Sequence, residues 1–255
     1  MTTSGEHWWT RLSHRMAASG LNLFGVADGA GQDAVLPGCR SVLLFGSGGG
    51  ALWEAMVRDL RREPAGLTDE AHPLDAFVHR QLKAADPAPP ASRLWVRAAG
   101  DATIFADFRL LAHRAGMGHH SKLGLLLHPT WGPWLGLRAA CFTTEAIPPT
   151  GPRTDENPCA ACPAPCADAC HGAVIGAEGI DIRACAAFHV QAGEAGPCAA
   201  SCDARRACPV GAEHAYPALE QLYHYNRRLG RRALAAEVGA PIGQEGSGPH
   251  WDAWG

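Results

Sequence analysis

Eight of the ten cysteines lie between Cys159 and Cys208, in the second half of the chain. Their spacing reads Cys-x2-Cys-x3-Cys-x3-Cys, then a single cysteine, then Cys-x3-Cys-x5-Cys-Pro. The eight are Cys159, Cys162, Cys166, Cys170, Cys185, Cys198, Cys202 and Cys208. Thiolates two to four residues apart can converge on one soft metal centre, because a tight turn brings their sulfurs onto a common point. The pattern predicts thiolate-bound metal.

Eight thiolates are the number that two [4Fe–4S] clusters require. In two-cluster ferredoxins the fourth cysteine of the close group binds the other cluster. That crossed arrangement predicts two ligand sets. The first set is Cys159, Cys162, Cys166 and Cys208, and the second set is Cys170, Cys185, Cys198 and Cys202. The chain departs from the ferredoxin pattern by one extra residue before Cys166 and by His171 in place of a proline after Cys170.

Two other uses of these cysteines stay open. Structural zinc takes four thiolates from Cys-x2–4-Cys pairs, so two zinc ions would also use eight cysteines. Disulfides or free thiols are the remaining alternative, although disulfides rarely persist in a reducing cytosol. The dense group from Cys159 to Cys170 favours iron–sulfur clusters, because zinc sites use two short pairs for each ion. The loosened spacing also leaves open a single intact cluster.

Composition narrows the class of protein further. The chain has 255 residues, of which 47% are hydrophobic and 18% charged, and its formal net charge is −3. Because basic residues are not in excess, the chain is not predicted to be a dedicated nucleic-acid binder. The N-terminal sequence lacks a signal pattern, and no apolar run approaches the roughly 18 residues that span a bilayer. We therefore expect a cytoplasmic protein with no membrane segment.

Prolines and glycines suggest where the chain divides. Residues 147–152 read Ile-Pro-Pro-Thr-Gly-Pro, which interrupts both helix and strand. We predict an α+β domain over residues 1–150, a metal-dependent domain over 151–216, and a C-terminal helix with a flexible tail over 217–255. The middle segment has too few large apolar residues to form a core without a metal or disulfides.

Hydrophobic periodicity predicts the elements that position the cysteines. Expected helices cover 12–18, 52–62, 74–82, 108–115 and 219–237, and expected strands cover 41–46, 123–127 and 134–142. Strands and helices alternate irregularly, which favours α+β over a doubly wound sheet. The basic runs that contain Arg205 and Arg228 are interpreted as solvated, with a phosphate or an acidic redox partner as alternatives.

A family resemblance rests on residues 105–134. Ala115-Gly116-Met117-Gly118 is followed by Lys122–Leu126 and then by His128-Pro129-Thr130-Trp131-Gly132-Pro133-Trp134. This segment resembles one shared by epoxyqueuosine reductases and reductive dehalogenases. Together with Leu36-Pro37-Gly38, the histidine turn is also similar to that of cblC-type cobalamin-processing proteins. The cysteine order is similar to that of epoxyqueuosine reductases, including Arg183 shortly before the fifth cysteine.

The resemblance implies a nitroreductase/cblC-like sheet domain joined to a ferredoxin-like double [4Fe–4S] domain. It also implies a cobalamin pocket, with candidate residues Gly116, Gly118, His128, Trp131, Gly132 and Trp134. The expected activity is that of an oxidoreductase that passes electrons through two clusters to a bound corrinoid. The reaction would be decyanation, dealkylation or reductive elimination on a small molecule, with a flavodoxin or ferredoxin as electron donor.

Departures from the family pattern limit what is carried over. The catalytic Asp-x-Gly-Pro motif has no match at Asp101–Ile104 or at Phe105–Phe108, so the catalytic residues are unknown. The tRNA-engaging helical repeat is reduced to a stretch near 219–237, which argues against action on tRNA. Two alternatives stay open: a ferredoxin-like electron carrier without a substrate, and a cobalamin-handling chaperone whose metal is structural.

Overall fold

A computed structural model describes residues 6–68, 72–98 and 104–241. In these residues the helices are α1 (Trp8–Ala18), α2 (Ala51–Arg62), α3 (Ala65–Thr68), α4 (Pro73–Ala85), α5 (Phe108–Arg114), α6 (Pro165–Asp168), α7 (Ile182–Ala192), α8 (Asp203–Arg206), α9 (Ala218–Tyr225) and α10 (Arg227–Val238). The strands are β1 (Leu23–Asp28), β2 (Ser41–Gly48), β3 (Arg93–Arg97), β4 (His119–His120), β5 (Leu126–Leu127), β6 (Leu135–Thr143), β7 (Ile175–Gly176) and β8 (Gly179–Ile180). The predicted mixture of helix and sheet is confirmed.

The main sheet has four strands in the order β1-β2-β6-β3. β1 runs antiparallel to β2 with Leu23 opposite Gly46, and β3 runs antiparallel to β6 with Arg93 opposite Thr143. The apolar run in β2 predicted a buried strand, and every residue of β2 is buried. β6 also lies close to its predicted position, and its last five residues are buried. These two central strands supply much of the sheet's core.

The two edge strands, β1 and β3, were not predicted from the sequence. Gly25 interrupts the apolar pattern of β1, and glycine inside a strand weakens its signal. The structure explains the glycine, because a Cβ there would lie 2.8 Å from Cγ of Met117. A neighbour distant in sequence therefore stabilises this strand.

Two predicted elements are wrong in extent. The strand expected over 123–127 is reduced to β5, because Gly124 adopts a left-handed conformation with φ of 70° and breaks the extended run. The helix expected over 219–237 divides into α9 and α10 at Asn226, whose φ is −140°. The Asn226 side chain caps the second helix by accepting a hydrogen bond from the Leu229 N–H at 3.0 Å.

The chain forms two compact units that are discontinuous in sequence. The first unit is Met1–Ala55, Leu74–Met117 and Gly136–Arg153, and the second is Met56–Pro73, Gly118–Leu135 and Thr154–Gly255. The boundaries near 150 and 216 stay a prediction. Most of the predicted flexible tail, from residue 242, and residues 101–103 of the Asp101–Ile104 segment lie outside the described residues. No helix in the described ranges is long and apolar enough to cross a membrane.

Candidate metal centres

Two short helices and the turns beside them position the first set of cysteines. Cys166 lies in α6, whose first residue is Pro165, a residue suited to the first turn because its fixed φ is already helical. Cys208 follows α8 and is 9% exposed, and Cys166 is 8% exposed. Cys159 lies in a turn in which its N–H donates a hydrogen bond to Oδ1 of Asn157 at 3.0 Å.

The four thiols of the first set lie near one another. Burial raises the pKa of Cys166, and the charges of Cys159 and Cys162 raise it further. Burial also raises the pKa of Cys208, and the charges of Cys159, Cys166 and Cys162 raise it further. Such repulsion declines with separation, so Cys166 and Cys208 lie within electrostatic range of the other two thiols.

The second set converges in the same way from different elements. Cys185 lies in α7, which Asp181 caps by accepting a hydrogen bond from the Ala184 N–H at 2.9 Å. Burial raises the pKa of Cys185, followed by the charges of Cys202 and Cys170. Burial raises the pKa of Cys198 to about 11, followed by the charges of Cys202, Cys185 and Cys170. Cys185 and Cys198 thus lie within electrostatic range of the other two thiols, and the division of the eight cysteines into two ligand sets stays a prediction.

Cysteine side chains form part of a small buried cluster. That cluster contains Leu123, Leu127, Cys166, Ile175, Ala204 and Cys208, with Cys159, Cys170 and Cys202 packed against it. The apolar residues come partly from 123–127, which precedes the cysteines in the chain. Because sulfur atoms form much of this core, its packing depends on what the thiols bind.

The chemistry of both sets fits iron–sulfur clusters. Each set offers four soft sulfur donors, which is the ligand type that holds such clusters. Burial raises the pKa of Cys166, Cys202 and Cys208, and backbone N–H groups lower it less strongly in each case. In the ranges that the structure describes, no three His, Cys, Asp or Glu side chains form a site for a single metal ion.

Arg205 is a buried residue whose position the sequence interpretation missed. It was expected to be solvated, but it is only 8% exposed. Its Nη2 and Nε donate to the carbonyl oxygen of Pro133 at 2.7 and 3.2 Å. The guanidinium carbon lies 4.6 Å from the ring centroid of Trp134 and 4.7 Å from that of Tyr216. Its position midway between Cys202 and Cys208 was the signal available in the sequence.

Burial dominates the ionisation of Cys202 and Tyr225. It raises the pKa of Tyr225 to about 12. It also raises the pKa of the Cys202 thiol, and the positive charge of Arg205 lowers that pKa less strongly.

His128 has a structural role in the turn that precedes β6. Its Nδ1 accepts hydrogen bonds from the N–H groups of Thr130 and Trp131, at 3.0 and 3.2 Å. A ring nitrogen that accepts from N–H groups carries its lone pair there, so the proton resides on Nε2. Metal binding through Nε2 would move that proton to Nδ1 and break both hydrogen bonds. The predicted contact of His128 with a cofactor stays a prediction.

The three candidate glycines each pack against the protein's own backbone. A Cβ on Gly132 would lie 1.8 Å from the carbonyl oxygen of Val210, and one on Gly118 would lie 2.5 Å from that of Leu127. On Gly116 it would lie 3.0 Å from Cα of Gly151. The space that a Cβ would need at these glycines is occupied by backbone atoms, and their contact with a cofactor stays a prediction.

The two candidate tryptophans pack against side chains of the second unit. Trp131 lies 4.5 Å from His214 between ring centroids, and Trp134 lies 5.4 Å from Tyr216. Trp134 is 1% exposed, and its Nε1 has no hydrogen-bond partner in the described part of the chain. Their assignment to a cobalamin pocket stays a prediction, and no step of a mechanism is drawn through it.

Comparison with known proteins identifies relatives in fold only. The sequence matches no family model and no curated protein. Epoxyqueuosine reductase from Streptococcus thermophilus superposes with a TM-score of 0.55 at 14% identity, over 82% of this chain and 67% of that one. An epoxyqueuosine reductase bound to a tRNA-Tyr stem loop gives 0.52 at 15%, over 85% and 69%. The B12-trafficking protein CblC from C. elegans gives 0.49 at 11%, over 91% and 93%. The chain thus has the fold of epoxyqueuosine reductases, as the sequence motifs predicted.

Proposed function

We propose that this chain is an iron–sulfur redox protein with two [4Fe–4S] clusters in a ferredoxin-like arrangement. The observation that carries the proposal is the run of eight cysteines between Cys159 and Cys208, and the electrostatic influence of these thiols on one another supports it. Thiols held this close repel one another as anions, and binding to a cationic iron core would relieve the repulsion. When bound, the clusters would supply one-electron redox chemistry.

The residues around the thiols support this proposal. Backbone N–H groups beside Cys166, Cys202 and Cys208 stabilise negative charge on sulfur, which a cluster ligand carries. The surrounding Leu127 and Ile175 are buried and exclude water. The same sulfur donors would also hold zinc. Elemental analysis distinguishes bound zinc from iron–sulfur clusters.

The finer proposal concerns the electron acceptor. We infer that the chain passes electrons to a bound corrinoid and thereby reduces a small molecule by decyanation, dealkylation or reductive elimination. The likeness in fold to epoxyqueuosine reductases supports this, together with a cysteine order that resembles theirs. A flavodoxin or ferredoxin would be the electron donor, in the cytoplasm. The net charge of −3 argues against tRNA as the substrate, although a reductase of this fold binds a tRNA stem loop.

The electron carrier and the cobalamin chaperone are the competing functions. Titration of the reduced protein with cobalamin distinguishes them, because a corrinoid-reducing protein changes the cobalamin spectrum under anaerobic conditions. An intact cluster without any spectral change of cobalamin would support the carrier. A bound corrinoid whose oxidation state does not respond to the reduced protein would support the chaperone.

The decisive experiment is the elemental analysis of protein purified without oxygen. We expect about eight iron atoms and about eight sulfide ions per chain, and a broad absorption band at about 400 nm. Replacement of Cys39, which belongs to neither set, by alanine should leave these values unchanged. Stoichiometric zinc in a colourless protein would contradict the redox proposal.

A further inference from the structure

A small cavity lies in the first unit, where the end of β3 meets the beginning of β6. The N–H of Ala98 donates a hydrogen bond to the carbonyl oxygen of Arg138 at 2.9 Å, which holds the two strand ends together. The cavity has a volume of about 220 Å³, and α4 supplies part of its wall. Its lining residues are Asp75, Val78, Arg97, Ala98, Leu137 and Arg138. Pockets for drug-sized ligands measure about 300–1,000 Å³, so this cavity suits a smaller molecule.

The Arg138 guanidinium carries an N–H group that the described part of the chain does not pair. The side chain is 18% exposed, and its buried Nε has no hydrogen-bond partner among the described residues. Oδ1 of Asp75 lies 4.0 Å from Nη1, which is too long for a hydrogen bond. A buried donor without an acceptor costs free energy, so an unpaired donor in a cavity wall indicates a missing acceptor.

Gly136 leaves one edge of this guanidinium uncovered. It precedes Arg138 by two residues in β6, so both positions face the same side of the strand. A Cβ at Gly136 would lie 3.0 Å from Nη2 and 3.2 Å from Nε of Arg138. Any side chain at position 136 would therefore press against these two nitrogen atoms. Nε and Nη2 together form an edge through which arginine binds a carboxylate with two parallel hydrogen bonds.

The charge and the apolar surface of the cavity select the kind of ligand. Two arginines and one aspartate give the lining one net positive charge, and Val78 and Leu137 supply apolar contacts. A monoanion with a short aliphatic part matches both features. A dianion such as phosphate would be repelled by the Asp75 carboxylate and would lose water against the apolar wall.

We propose that this cavity binds a small aliphatic monocarboxylate, with Nε and Nη2 of Arg138 as the hydrogen-bond donors. Arg97 adds positive charge to the same cavity. The inference goes beyond the proposed function, because every lining residue belongs to the first unit and none is a cysteine. A purely structural role for Arg138, joining β6 to α4 through Asp75, predicts instead that carboxylates bind no better than neutral amides of the same shape.

Isothermal titration calorimetry of the full chain with sodium butyrate, at constant ionic strength, tests the inference. Butyramide is the neutral probe of matching shape. We expect saturable binding of one butyrate per chain and no binding of butyramide at the same concentrations. Inorganic phosphate should bind more weakly than butyrate. Phosphate binding tighter than butyrate would contradict the assignment to a monocarboxylate.

Two variants test the role of Arg138 directly. Arg138→Gln removes the charge and the paired donors, so it should weaken butyrate binding at least about tenfold. Gly136→Ala keeps the charge but places a methyl group against Nη2 and Nε, so it should weaken binding several-fold. The matched control is Arg80→Gln, at an exposed position of α4, which should bind butyrate as the parent does.

Urea unfolding establishes that each variant is folded, and Gly136→Ala provides the test if Arg138→Gln does not fold. No saturable binding of butyrate by the parent would overturn this inference. Equal affinity of the parent and Arg138→Gln, or equal affinity for butyrate and butyramide, would overturn it as well. Absence of iron and sulfide from the protein would contradict the proposed function and leave this inference intact, because no lining residue is a predicted metal ligand.

Discussion

In the four-stranded sheet, β2 is buried along its whole length, and its Phe45 and Phe142 of the neighbouring β6 are fully buried. In the cluster around the cysteines, the buried side chains are three aliphatic residues, Ala204 and the thiols of Cys166 and Cys208. Apolar burial at about 25 cal/mol per Å² can maintain the sheet by itself. The cysteine-containing core has little such area, so under the proposed function its stability would depend on bound metal.

The same residue type therefore has different tasks in the two regions. Cys141 is fully buried in β6, and burial raises its pKa to about 12, which keeps the thiol neutral. Cys166 lies among other thiols and backbone N–H groups that act on its sulfur. A cysteine surrounded by apolar atoms is a packing residue, whereas one surrounded by further thiols is a ligand.

The largest expected effect is that of removing a ligand. Replacement of Cys162 by alanine should eliminate one cluster, which is about half of the bound iron. Because that core depends on metal, hydrogen exchange should accelerate at amides near Cys166 and Cys208 and stay slow in β2. The matched control is Cys141→Ala, which should retain all of the iron. Equal loss of protection in the sheet would contradict the contrast between the regions.

Removal of a large apolar side chain tests the sheet. Phe142 is 0% exposed, so Phe142→Ala leaves a cavity and should lower the free energy of unfolding by about 3–5 kcal/mol. Phe105 is 88% exposed, and Phe105→Ala should change it by less than about 0.5 kcal/mol. Denaturant titration measures the free energy of unfolding of each variant. Before unfolding, each variant should contain as much iron as the parent protein. A Phe142→Ala protein as stable as the Phe105→Ala protein would refute this account of the sheet.

A glycine beside the cysteines tests close backbone packing. Gly132→Ala would place Cβ 1.8 Å from the Val210 carbonyl oxygen at a φ of 55°, so the turn must move away from the segment after Cys208. We expect a loss of about 3 kcal/mol from overpacking and left-handed strain. Gly193→Ala is the control, with a φ of 66° and no atom within 4 Å of the new Cβ. It should cost about 1 kcal/mol, and equal costs would mean that the contact with Val210 is unimportant.

The smallest expected effect is the pH dependence due to Cys141. The pKa of this thiol is 9.0 in the unfolded chain and about 12 in the folded chain, because burial disfavours the thiolate. Its contribution to stability is complete below pH 9 and is lost as the pH rises toward 12, by up to about 1.4 kcal/mol per pH unit. Urea unfolding at pH 8 and pH 10 should show a smaller decrease in stability for Cys141→Ala than for the parent. Identical decreases would show that this thiol does not report on the sheet's core.

Several features of the fold could be predicted because their signals are local. The apolar run of Val42–Phe45 predicted a buried strand, and alternation in 134–142 predicted another, since each depends on neighbouring residues only. Edge strand β1 escaped prediction because Gly25 looks like a strand breaker until Met117 is placed against it. The break at Asn226 was hidden because the helical periodicity continues on both sides of it.

The amino-acid sequence by itself determined the number, type and spacing of the cysteines, from which two ligand sets were predicted. It also determined the central strands and most helix positions. Only the tertiary structure decided that Arg205 is buried, because its partner Pro133 is 72 residues away along the chain. It likewise packed Gly132 against Val210. Local patterns specify elements, whereas burial and close approach depend on residues that meet only after the chain has folded.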